Sequence, residues 1–345
     1  MMLGLIAFVA INQHADAARV LVVINKASEE SNTIGRYYMK QRGIPGQNLV
    51  LVNAPLTEQI LPPDYHSSIE GPMKAKLAAF KGIDFIVMTK GVPLRVTNGA
   101  GFSVDSLVGS ISNPLTDEQL YDPAKQPPST KNPYFGKAEK FSRTKFGYYI
   151  VTRLDAYTVD QAKGLVDLAM KAKPEKGSFF MDCIQTGKGT GYYEMNESLR
   201  AAGPVLSKKG FGVTVEETNT FAGPSEPLMG YASWGSNDGS FDASKYKSLR
   251  FKPGAIAETF VSTSGRTFKP TTGGQSLIAD LVSQGVTGVK GYVGEPYTVA
   301  LAQPHILFDR YTSGFNLAES FSAASPLIRW KDIIIGDPLC APYGK

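Results

Sequence analysis

Six carboxylates stand where the chain passes from apolar to polar residues: Asp105, Asp155, Asp182, Asp238, Glu295 and Asp337. Calcium takes about six to eight oxygen ligands of this kind, so the set leaves a bound calcium open. Each carboxylate alone also reads as a helix or turn cap, Asp337 before Pro338 as a turn residue. Beyond residue 17 only His66 and His305 remain, neither beside Cys183, Cys340 or the other, so zinc-ligand spacing is absent. Gly187-Lys188-Gly189-Thr190-Gly191 has the composition of a phosphate loop. Yet the chain holds no G-x-x-x-x-G-K-[ST], no G-x-G-x-x-G after its first strand and no G-x-S-x-G elbow. Nucleotide binding and standard esterase chemistry are therefore unsupported, and no motif requires a cofactor.

The elements that must position such groups are predicted by pattern. Arg19–Asn25 is an unbroken apolar run ending in a polar residue, the mark of a strand covered on both faces. A helix opens at Ser28-Glu29-Glu30-Ser31 and stops at Gly43 and Pro45. Strands at 48–52 and 83–89 flank a helix at 69–80, a β-α-β-α-β order that predicts a parallel sheet with right-handed crossovers. Residues 113–147, with five prolines and no periodicity, read as a loop insertion. A strand at 148–151 and a helix at 159–173 follow, and Pro174-Glu175-Lys176-Gly177 marks the boundary between two α/β halves, 18–175 and 176–345. In the second half strands are expected at 178–184, 211–216, 228–234, 257–263, 287–292 and 332–335. Helices are expected at 193–207, 275–284, 305–312 and 317–324. Ligands of such sheets bind beyond the carboxyl ends of the strands. That rule selects Lys90–Pro93, Ser103–Ser106, Thr152–Asp155, Ser233–Asp238, Ser262–Arg266 and Ile335–Pro338 for inspection.

Composition narrows the partners. With 42% hydrophobic and 19% charged residues the chain is no disordered segment. Its net charge of +5 is scattered, so Lys245, Lys247, Arg250 and Lys252 make no nucleic-acid stripe. Leu3–Ile11 is too short an apolar run to span a bilayer, which takes about 20 residues, and it precedes Ala15-Asp16-Ala17. Residues 1–17 thus read as an export signal, lacking only the usual basic residue. The expectation is a protein outside the cytoplasm with no membrane span. Two cysteines make no disulfide framework, and the sequence leaves open whether Cys183 and Cys340 pair.

The order of the strand-end segments resembles the catalytic region of gingipain-like cysteine peptidases of the caspase fold, over nearly the whole chain after residue 17. Val104-Asp105 and Thr152-Arg153-Leu154 stand where that family has a strand-end Ser-Asp and a "G-R-L-P" strand, and Ile333–Pro338 matches its closing Gly-Asp-Pro strand. The segments V-P-L-R, W-G-S-N-D, G-V-K-G-Y and I-G-D-P-L-C-A-P-Y resemble a family of exported bacterial proteins of unknown function. The resemblance implies mainly parallel sheets with helices on both faces, in two sequence-adjacent caspase-like halves, and calcium bound structurally in related peptidases. It also exposes two departures: Trp234 stands where the peptidases have His, and Ser262 where they have Cys. An indole N–H donates but cannot accept a proton, and a serine without a base is a weak nucleophile.

Two readings follow. In the first, the protein is an inactive-peptidase or binding module whose cleft takes a peptide, protein or glycan ligand. Trp234, Gly235, Ser236, Asn237, Asp238, Ser264, Gly265, Arg266, Tyr292 and Glu295 would line it, with Tyr231 and Tyr297 as further stacking surfaces. In the second, Ser262 is the nucleophile of a hydrolase, with Lys290 as base and Arg266 as the cation that lowers its pKa, or with Asp238 or Glu258 in place of the lysine. A Lys290–Glu295 salt bridge is the structural alternative. The site expectation is geometric: Trp234, Ser262 and Lys290 line one concave surface, with Lys290-Gly291-Tyr292 as its third wall.

Overall fold

The structure, a computed structural model, describes residues 16–97, 101–121 and 130–344. Most of the expected export signal, residues 1–15, lies outside the described residues, as do 122–129 of the 113–147 segment. Asp16 pairs with Arg19 at 3.0 Å, and Ala17 is buried.

Ten strands form one sheet: β1 (Val20–Asn25), β2 (Leu49–Val52), β3 (Phe85–Thr89), β4 (Ile150–Leu154), β5 (Phe179–Asp182), β6 (Val213–Glu216), β7 (Leu228–Ser233), β8 (Phe251–Thr259), β9 (Gly288–Tyr292) and β10 (Asp332–Gly336). Their spatial order is β2-β1-β3-β4-β10-β9-β8-β7-β5-β6. Every pairing is parallel except β9 with β10, where Tyr292 opposes Asp332 and Gly288 opposes Gly336. The reversal divides the sheet into two sets of five parallel strands pointing in opposite senses. The protein is therefore an α/β protein with a mainly parallel sheet, as the alternation predicts. One feature was not legible: β10, latest of the ten in the chain, runs with the N-terminal set and joins it to the C-terminal set.

Helices cover both faces. α1 (Glu29–Arg42), α4 (Val159–Lys171) and α6 (Ile278–Ser283) share one apolar cluster that crosses both halves, from Ile24 and Ile34 through Leu165 to Leu281 and Val289. The opposite face carries two clusters. α2 (Gly71–Ala79) and α3 (Val104–Gly109) pack on Val23, Met88 and Val151. α5 (Gly191–Lys208), α7 (Pro304–Thr312) and α8 (Leu317–Ala324) pack on Phe179, Met229 and Ile256. Burial on both sides explains why β1 is apolar at five successive positions. α1 begins and ends where its sequence says: the Ser28 side chain accepts from the Ser31 N–H, and Gly43 closes it at φ 65°.

Two elements differ from expectation. β8 lies at 251–259, six residues before the predicted start and four before the predicted end. Pro253-Gly254 looks like a turn, but the strand runs through it with Gly254 at φ 91° and the β7–β8 register breaks between Leu228 and Gly230. Ser262 consequently sits in a loop. The described parts of 113–147 are packed structure, with helices at Asp117–Tyr121 and Arg143–Phe146, and Thr130–Lys131 paired antiparallel with Leu327–Ile328. Tyr134, Phe141, Phe146 and Tyr148 hold this segment through ring contacts between 4.8 and 5.6 Å. Isolated aromatics carry no period, so the pattern hid them.

Candidate functional site

Because β7, β8 and β9 are parallel neighbours, the segments Trp234–Asp238 and Ser262–Arg266 and the end of β9 meet. They are fastened to one another. The Ser236 N–H donates to Ser276 Oγ at 3.2 Å, and the Ser276 N–H donates to Ser236 Oγ at 2.9 Å. Asn237 donates to the Phe260 carbonyl at 2.6 Å and accepts from Gln275 at 2.9 Å. Gly235 makes the tight turn at φ 50°, where a Cβ would also lie 2.8 Å from Val261 Cγ2. Ser264 and Gly265 dock on β9: Ser264 Oγ accepts the Tyr292 N–H at 3.3 Å, and the Gly265 N–H donates to the Tyr292 carbonyl at 2.8 Å. Asp238 accepts from the Ser240 N–H at 2.7 Å, an Asx turn.

The side chains expected to do chemistry go elsewhere. Trp234 does not line an open cleft; it is 1% exposed, its N–H donates to Asn196 Oδ1 at 2.8 Å, and Tyr192 stacks flat on it at 4.4 Å and 7°. A large ring with one N–H to satisfy is most stable buried against such a partner. Ser262 is half-buried, and its hydroxyl has no hydrogen-bond partner among the described residues. Lys290 is not its base. The lysine is fully buried, with Nζ donating to Ser325 Oγ at 2.7 Å and lying 3.5 Å from Asp332. Nor is Glu295 its salt-bridge partner: that carboxylate accepts the Tyr297 N–H at 2.9 Å. Arg266 does not neighbour a catalytic lysine, because its guanidinium binds the Thr263, Gln275 and Gly273 carbonyls of its own loop. Tyr292 is likewise interior, its hydroxyl donating to Glu258 at 2.6 Å. So Lys290 and Tyr292 wall no open cleft. Burial pushes Glu258 up to about 8, partly offset by Lys290.

The six carboxylates do not converge. Asp105 is held by Arg153, Asp155 lies 3.4 Å from Lys90, and Asp337 pairs with Arg42 at 2.6 Å and Tyr38 at 2.9 Å. Among the described residues no group of three or more His, Cys, Asp or Glu is arranged to hold a metal ion. Asp182, Asp238 and Glu295 form no ion pair among the described residues, and of the three Asp182 alone is buried. Asp182 opposes Glu216 in the β5–β6 register and is 2% exposed, and neither of its oxygens has a hydrogen-bond partner among the described residues. Burial first, then the charges of Glu216 and Asp238, push it up to about 8. Both cysteines are buried and free.

Beside this rim lies an exposed apolar surface that the sequence reading only touched through Tyr297. Tyr192 is 42%, Tyr297 62% and Val299 60% exposed. The first opens α5, whose Gly191 backbone abuts Thr298 so closely that a side chain at 191 would collide with it. Tyr297 holds φ 58°, a region a bulky residue enters only against strain. Asn196, Glu216, Ser325 and Asp332 are the other participants the sequence missed. Their partners are set by register and helix packing, and only Glu216 carried a signal, as a carboxylate ending a predicted strand.

No family model and no curated protein sequence matches the chain. It is similar to a solved structure described as "Structure of Protease", at 10% sequence identity and a TM-score of 0.47, over 94% of this chain and 78% of that one.

Proposed function

We propose that the protein is an exported, caspase-fold binding module without peptidase chemistry, taking a peptide or glycan on the rim beside Trp234. The observation that carries this reading is Tyr297. Its backbone is held in a strained conformation, about 1–3 kcal/mol above an unstrained one, while its ring is left in solvent beside Val299 and near Tyr192. Strain of that size persists where the surroundings enforce it, and an exposed aromatic held in place is the kind of group that stacks on sugar rings and peptide side chains. The buried Trp234 then supports Tyr192 from behind. The hydrolase alternative lacks a base in place: Lys290 is engaged on Ser325 and Asp332, and the Ser262 hydroxyl has no hydrogen-bond partner among the described residues, Asp238 and Glu258 included.

The test has two arms. Wild type and Ser262→Ala are screened against fluorogenic peptide, ester and glycoside substrates, and the reading expects no turnover that Ser262→Ala abolishes. An immobilised panel of oligosaccharides and peptides is then probed with wild type, Tyr192→Ala and Tyr297→Ala. Retained ligand that is lost with either tyrosine supports the module. Turnover dependent on Ser262 overturns it, as does binding indifferent to both tyrosines.

A further inference from the structure

A second concavity stands apart from that rim, at the amino ends of β3 and β4. It is a cavity of about 320 Å³ roofed by the C-terminal turn of α2. Ligand pockets commonly run from about 300 to 1,000 Å³ and combine apolar walls with a few placed polar groups. Leu77, Phe80, Ile111 and Tyr149 supply the apolar wall here.

Its charges are unbalanced. The carboxylate in the lining is Asp84, and both its oxygens are taken: one accepts from Arg19 Nε at 2.7 Å, the other from the Arg143 backbone N–H at 2.6 Å. Lys74, on the roof, is paired with Glu70 at 2.9 Å. Two cations remain without a carboxylate. Lys81 is exposed and makes no ion pair or hydrogen bond among the described residues. Arg143 lies over the Tyr149 ring at 4.9 Å and donates to Ser112 Oγ at 2.9 Å, with its Nε unpartnered. A planar guanidinium fixed on an aromatic face presents a fork that matches a carboxylate.

From this we infer that the cavity binds a small amphipathic carboxylate. Its apolar body lies against Leu77, Phe80, Ile111 and Tyr149, and its carboxylate meets Arg143 and Lys81. The size and the two free charges fit a monoanion with a short aryl or alkyl tail. This inference is independent of the rim and its ligand.

Titration calorimetry with 4-phenylbutyrate and 4-phenylbutylamine, which share a body and differ in head charge, tests it on the whole chain. The carboxylate should bind saturably at one site, and the amine at least about tenfold more weakly, a difference of one favourable charge contact. Lys81→Glu, at an exposed position, should weaken the carboxylate at least about fivefold with an unchanged Tm, and Arg143→Met should abolish saturable binding. Equal binding of acid and amine overturns the assignment. So does an absence of saturable binding by the acid, or an affinity unmoved by Lys81→Glu, and the lysine variant keeps the test valid should Arg143→Met misfold.

Discussion

Replacing Asp182 by asparagine should stabilise the protein, and by an amount that grows with pH. The carboxyl is buried at the end of β5, opposite Glu216 and near Asp238, and is pushed up to about 8. In the unfolded chain it returns to about 4. Its folded form therefore binds a proton more tightly than its unfolded form. Stability from this group is fully present below about pH 4 and is lost as pH rises towards 8. Four units at about 1.4 kcal/mol each set a ceiling of about 6 kcal/mol. Relaxation around a coupled pair of acids reduces that, and about 2–3 kcal/mol is the working expectation at pH 8. Asparagine has the same shape and no charge, so Asp182→Asn removes the term. Urea unfolding of wild type and Asp182→Asn between pH 4 and pH 8 reads it directly. The two should agree within about 0.5 kcal/mol at pH 4 and diverge steadily above it. A gain that is the same at both ends, or a loss that grows with pH, would refute the argument. The first would mean that folding does not shift the Asp182 carboxyl, the second that it is ionised in the fold and held by a cation.

Lys290→Met should cost about 3–5 kcal/mol in the same assay, because it leaves Asp332 and Ser325 without their buried donor. Ser262→Ala should change stability by less than about 0.5 kcal/mol, since its hydroxyl has no partner to lose. Tyr192→Ala should uncover one face of Trp234, red-shifting the tryptophan emission and raising its quenching by acrylamide, at a cost of about 0.5–1.5 kcal/mol for the lost stacked pair. Gly235→Ala should destabilise by at least about 1 kcal/mol, through its positive φ and the crowded Val261 methyl, measurable as a lower Tm.

What the sequence made legible were features written in local chemistry. The doubly buried strand Val20–Asn25 announces itself by composition, and α1 by Ser28 and Gly43. The neighbourhood of Trp234–Asp238 and Ser262–Arg266 follows from parallel strand ends alone. Side-chain direction is another matter. Lys290 reads as a surface base on a strand end, but the period of two along β9 turns it inward with Tyr292, onto Ser325 and Glu258 from elements far along the chain. Trp234 reads as a ligand platform until Asn196, from α5, supplies its acceptor. The start of β8 is hidden because a strand passing through Pro253-Gly254 breaks the usual turn rule, and the strand ends at Thr259, which leaves Ser262 in a loop. The direction of β10 is set by pairings with β4 and β9, which no single segment encodes.

That strand also governs the order in which the molecule can be assembled. During synthesis β4 emerges long before β9, and each waits with a bare edge for the same neighbour. Until residues 332–336 have been made, the ribosome carries two incomplete sheets and no way to join them. Completion is therefore a late event in the life of the nascent chain. A chain truncated between Tyr292 and Asp332 leaves both β4 and β9 with bare strand edges, the kind of surface that pairs with other chains. A fold that closes only on its latest strand reaches its finished state only when most of the chain is available.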